Sequence, residues 1–127
     1  MTPEKVIPTT LDEAIELLQK QCDPKDLEML KKEGHPPGWH FTGGMAMRND
    51  WGLWHGSALA KHFNALGIYH ADDMSGIIMT CLVRRLKGEP LLVKDQVRAI
   101  KAYWAKEKKA HENRTAVSRA SLVNAVR

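Results

Sequence analysis

The sequence predicts an all-α protein, a compact bundle of five or six short helices with a long basic C-terminal helix. Three observations carry this. Apolar residues recur at helical spacing along most of the 127 residues, and no β-alternation of useful length occurs. Capping residues and helix-stopping glycines fall at the edges of those periodic segments. The charges at the segment ends also follow the helix dipole.

The first segment, "TLDEAIELLQKQC", opens with Thr10 at an N-cap position and Glu13 three residues on, the pattern of a capping box. Leu11, Ile15 and Leu18 give it one apolar face. "DPKDLEMLKKEG" restarts with Asp23 as N-cap and Pro24 at the first helical position, carries Lys31 and Lys32 in its last turn, and stops at Gly34. "HPPG" then makes a rigid turn. After the unusual stretch 40–56, "GSALAKHFNALG" reads as a short helix capped by Ser57 and ended by Gly67. "YHADDMSGIIMTCLVRRLKG" starts at Asp72 or Asp73 and ends among Arg84, Arg85 and Lys87. Its wide apolar arc (Met74, Ile77, Ile78, Cys81, Leu82, Leu86) predicts a central helix packed on more than one side. The last clear helix, "VKDQVRAIKAYWAKEKKAHEN", has a buried stripe of Val93, Val97, Ile100 and Trp104 and a basic stripe of Lys94, Arg98, Lys101 and Lys108. The tail "RTAVSRASLVNAVR" is read as a frayed extension or a docking arm.

Length and composition set the class. The chain is read as one helical domain over 1–127, with 1–9 as an N-terminal arm and 114–127 as a flexible or docking tail. No apolar run is long enough to span a bilayer, and the N-terminal stretch lacks the apolar segment of a secretory signal. Two cysteines, Cys22 and Cys81, are too few for a disulfide framework or a Cys-based zinc site, so a cytoplasmic protein with reduced thiols is expected. Charge is unevenly spread. Residues 1–83 hold seven Lys and Arg against eleven Asp and Glu, and residues 84–127 hold twelve against four, within a net charge of +4. The basic part suits a solvated helix face first, and nucleic acid or an acidic partner second.

"HFTGGMAMRNDWGLWHG", residues 40–56, concentrates two Trp, two His, two Met and four Gly around an Arg-Asn pair. On a helix over 39–51, His40, Gly44, Met47 and Trp51 share a narrow arc bordered by Arg48. Gly43 and Gly44 each cost such a helix up to about 1 kcal/mol relative to Ala, which points to close approach by another backbone or a ligand. Close helix packing with Met and Trp filling an irregular core is the plainer explanation. Arg48, set between Met47 and Trp51, is expected to be partly buried and to need a carboxylate, with Asp72 and Asp73 as the internal candidates. A brace joining two helices comes first; a fork presented to an anionic ligand is the functional version.

Other chemistry is weakly signalled. No H-x3-H or H-E-x-x-H spacing occurs among the six histidines, so no metal and no cofactor are expected. Ser57 and Ser75 lie outside any nucleophile elbow, Cys81 sits on an apolar helix face, and phosphate-binding glycine loops are missing.

The residues His40, Phe41, Gly44, Met45, Arg48, Asn49, Gly52, Leu53 and Trp54, followed by His70, Asp72, Asp73 and Ser75, follow the pattern H-F-x-x-G-M-x-x-R-N-x-x-G-L-W, then H-x-D-D-x-S. In this the chain resembles a family of small uncharacterised bacterial and phage proteins, over roughly residues 10–88. Ala71 stands where that family tends to have Pro. The resemblance implies a shared architecture in which the two blocks lie together, and it implies no activity.

The expected function is therefore that of a small cytosolic binding or regulatory module of bacterial, phage or mobile-element origin. It acts by protein–protein contact, without catalytic residues, and a homodimer is one form of that contact. The binding residues expected are His40, Arg48, Asn49, Trp51, Trp54, His70, Asp72 and Asp73, with Trp39 beside Trp51 and Trp54 on an exposed surface. One alternative is nucleic-acid binding through Lys94, Arg98, Lys101, Lys108 and Lys109. The other is a small hydrolase or ligand-binding protein built on His40, Arg48, His70 and Asp73. No membrane partner is expected.

Overall fold

The computed structural model describes residues 6–39 and 42–126, with side chains as far as Ala116. Among these residues six helices and no strands are found, which makes the fold all-α: α1 (Leu11–Gln21), α2 (Pro24–Glu33), α3 (Gly43–Asp50), α4 (Ala58–Ala65), α5 (Ala71–Leu86) and α6 (Val93–Val126).

Local chemistry sets most of the helix ends. Thr10 Oγ1 accepts from the Glu13 backbone N–H at 3.2 Å, while the Glu13 carboxylate reaches past Thr10 to the backbone N–H and hydroxyl of Thr9, each at 2.7 Å. The capping box is thus displaced by one residue at its return bond. Asp23 caps α2 through Lys25 N–H, with Pro24 in the first turn, and Ser57 caps α4 through Ala60 N–H. α5 departs from expectation. Its N-cap is His70, whose Nδ1 accepts from the Asp72 N–H at 3.0 Å, and both aspartates stand in the first turn.

α5 is the hub, contacted by each of the other five helices. Met74, Ile77, Ile78, Cys81 and Leu82 are buried along it. α1 packs Leu11, Ala14 and Ile15 on it, α2 supplies Leu30, α3 Met47, and α4 Leu59, Ala60 and Phe63. A central helix must be apolar on several sides, because each neighbour removes a different strip of it from water.

α6 runs antiparallel to α5. Gln96 Nε2, near its start, is 3.5 Å from Cys81 Sγ, and Trp104 Nε1 donates to Asp73 Oδ2 at 2.7 Å near the opposite end of α5. Val97 is buried, and Val93 and Ile100 are half-buried. Trp104, expected in the buried stripe, is 46% exposed. At that level α5 offers its polar first turn, so the indole lies along the surface with its N–H on a carboxylate. The helix continues through 114–126, the segment read from sequence as a tail.

Candidate functional site

Two regions gather the residues the sequence marks out. The first is the junction of α3 with the start of α5. Arg48 is 2% exposed, and its Nη1 donates to Ser75 Oγ at 2.9 Å while its Nε lies 3.3 Å from Asp72 Oδ1. The Ser75 hydroxyl in turn donates to the Asp72 carbonyl at 3.0 Å. A buried guanidinium needs acceptors and a counter-charge: the Ser75 hydroxyl accepts from Nη1, and the Asp72 carboxylate places its negative charge beside Nε. This is the brace form of the Arg48–Asp contact.

The glycines before Arg48 explain how it fits. A Cβ on Gly44 would stand 2.9 Å from Arg48 Nη1 and 3.2 Å from the Trp39 carbonyl oxygen, and a Cβ on Gly43 would stand 2.8 Å from Trp39 Nε1. Bare backbone lets the Trp39 indole lie on the first turn of α3 while the guanidinium passes beneath. The close approach is made by the chain's own Trp and Arg.

Beside the brace is a surface corner of aromatic rings. His70 stacks on Trp104 with centroids 5.9 Å apart, and Trp54 meets His70 edge-on at 5.7 Å. Asp73 accepts from Trp104 while Asp72 pairs with Arg48, so adjacent aspartates serve different helices. Trp54, His70, Arg48, Asp72 and Asp73 are therefore brought together, with Trp104 added, a residue whose periodicity suggested core. Asn49 is exposed, and His40 lies outside the described residues. Among the described residues no group of three His, Cys, Asp or Glu side chains is placed to hold a metal ion.

The second region is a groove of about 500 Å³ between the end of α1, α2, the 34–39 turn, α3 and α5. Leu18, Leu30, Met47, Trp51, Met79 and Leu82 form its apolar floor, with Met29 and Trp39 on its walls and Asp26, Glu33 and Asp50 among its acidic residues. Trp51, expected at an exposed surface, is 8% exposed and lines the groove from the core. Cys22 also lines the groove, and burial raises its thiol pKa with the Asp26 charge adding to the effect. Sequence reasoning missed the groove. Its trace was the placement of Met29, Met47 and Met79 on three helices, since methionine suits both irregular cores and adaptable binding surfaces.

Fold and site together define a small all-α protein with an apolar groove and an internally braced α3–α5 junction. The chain belongs to the family described as a domain of unknown function, DUF6794, which matches residues 7–86. That match spans α1 to α5, with the groove and the brace, and ends before α6. Comparisons with curated proteins and with solved structures give no match. No helix among the described residues is long and apolar enough to cross a membrane.

Proposed function

We propose that the chain is a small helical binding or regulatory module that acts by protein–protein contact at the α1–α2–α3–α5 groove, with no catalytic activity of its own. One observation carries the reading: an open apolar cleft of about 500 Å³ whose surface is supplied by methionines, leucines and two tryptophans. Such a cleft is large enough for several side chains of one face of a helix, and its Met side chains re-pack at little cost. The proposal includes a cytoplasmic setting, in which Cys22 and Cys81 stay as reduced thiols.

The test is an NMR titration of the whole protein with synthetic amphipathic helical peptides bearing Leu and Met on one face. The reading expects shifts at the indole signals of Trp39 and Trp51, and their loss in Met29→Glu, an exposed position whose change spares the core. A groove silent to every peptide, or shifts confined to Trp54 and Trp104, overturns it.

A second reading, nucleic-acid binding, is favoured by the exposure of Lys94, Arg98, Lys101, Lys108 and Lys109 on α6. It predicts DNA affinity that falls steeply with salt. Within the five, Arg98 lies 3.6 Å from Asp95, and the Lys101 side chain lies directly against Gly67. An acid–base site on His40, Arg48, His70 and Asp73 carries less weight, because Arg48 is buried on Asp72 and Ser75 and Asp73 already accepts from Trp104.

A further inference from the structure

We infer that the groove takes the distal half of α6 from a second copy of this chain. The inference rests on the groove being a protein-binding site and adds the identity of its occupant. Three observations lead to it.

The first is the state of α6. It leaves the body at Trp104, and residues 105–126 continue as helix for about 33 Å beyond that point. Between Lys101 and Ala116 every residue is exposed except the half-buried Ala110 and Thr115. Over these described residues α6 packs on almost nothing, and helical propensity alone gives such a segment little stability, so a packing partner is the usual source.

The second is geometry. α6 passes α5 from its C-terminal half toward its N-terminal end, whereas the groove uses Met79 and Leu82 in the C-terminal half of α5. A continuous α6 carries its distal half away from Met79 and Leu82, the α5 residues of its own groove. Another molecule's α6 approaches without any such constraint.

The third is charge. α2 turns Asp26, Met29, Leu30 and Glu33 to the groove, while Lys25, Lys31 and Lys32 lie outside it together with Glu28, which pairs with Lys32. Among its described lining residues the groove holds Asp26, Glu33 and Asp50 and no Lys or Arg. Over 105–126 the sequence of α6 carries Lys106, Lys108, Lys109, Arg114 and Arg119 against Glu107 and Glu112. Acidic groove and basic helix are carried by one chain, so two copies satisfy each other. Reciprocal exchange closes a twofold dimer with two identical contacts.

The experiment is sedimentation velocity on the full chain across a concentration series at low and high salt, with three samples beside the wild type. One carries Lys106→Glu, Lys108→Glu and Lys109→Glu, the second carries Asp26→Lys and Glu33→Lys, and the third is their equimolar mixture. All five positions are exposed, and circular dichroism checks that each variant remains helical. Expected are a wild-type dimer that weakens with salt, about tenfold or greater weakening in each variant alone, and recovery of the complex in the mixture. A wild type that stays monomeric throughout, or a dimer indifferent to both variants, overturns the inference. So does a monomer that retains DNA through Lys106, Lys108 and Lys109, which assigns α6 to nucleic acid instead. The peptide titration separates the two levels: a monomer whose groove still binds peptides loses only the self-association, and a groove silent to both loses the binding reading as well.

Discussion

Arg48 Nε lies 3.3 Å from Asp72 Oδ1, and through that contact a buried guanidinium on α3 is held by the first turn of α5. Arg48→Ala removes the pair, leaves a cavity under Trp39, and is expected to cost about 2–4 kcal/mol. Arg48→Met refills much of the volume and should cost less. Asp72→Asn, at a side chain 38% exposed, should cost about 1 kcal/mol or less. Urea unfolding of the three variants tests the order, and an Arg48→Ala protein as stable as wild type would remove the brace from the account.

Two glycines inside helices should respond in opposite senses. Gly44→Ala forces a Cβ to within 2.9 Å of Arg48 Nη1 and 3.2 Å of the Trp39 carbonyl, and the backbone neighbour cannot easily give way. A loss of about 1–3 kcal/mol is expected. At Gly76, within α5, a Cβ would meet nothing within 4 Å, so Gly76→Ala should gain about 0.5–1 kcal/mol from reduced unfolded-state entropy. Thermal melts of the two variants give the comparison directly.

Trp104 docks α6 through its N–H on Asp73 and its stacking on His70. Trp104→Phe keeps a ring and loses the donor, so about 0.5–1.5 kcal/mol should be lost. The change should show as faster amide exchange in α6 around residue 104, with α1 to α4 unaffected.

Acid sensitivity has one assignable source at α1. The Thr9 hydroxyl, and then its backbone N–H, hold the Glu13 carboxyl below the ordinary glutamate value. A depressed folded-state pKa contributes stability that is present above the unfolded value and lost as pH falls through the folded one. Because Glu13 is exposed, the effect is small and best read by a carboxyl-resolved NMR titration. Thr9→Ala should return the Glu13 midpoint toward its ordinary value, and an unmoved midpoint would contradict the displaced capping box.

The two thiols should differ toward alkylating reagents. Burial raises the pKa of both, so less thiolate is present than in a free cysteine at the same pH. Cys22 lines the groove and is half-buried, while Cys81 is buried between α5 and α6. Native protein should label slowly at Cys22, and Cys81 should label only on unfolding. A groove-bound peptide should protect Cys22, which mass spectrometry of the labelled digest can follow.

Sequence alone determined the helical class and most helix limits, because caps and stops act within one turn. Thr10, Asp23 with Pro24, Ser57, Gly34 and Gly67 each do so through neighbours on the same stretch of chain. It also showed that Arg48, amid Met and Trp, needed an acidic partner. Tertiary structure decided which partner. Asp72 and Asp73 are equivalent as a pair of letters, and they diverge because α3 lies on one side of the α5 first turn and α6 on the other. His70 as N-cap was illegible for a similar reason: two aspartates nearby are better capping residues by type, and only backbone geometry chose the imidazole. The groove was the least readable feature. Met29, Met47 and Met79 fit a core equally well by pattern. An open cleft forms there because the 34–39 turn carries Trp39 onto the bare backbone of Gly43 and Gly44, and no local periodicity encodes that distance.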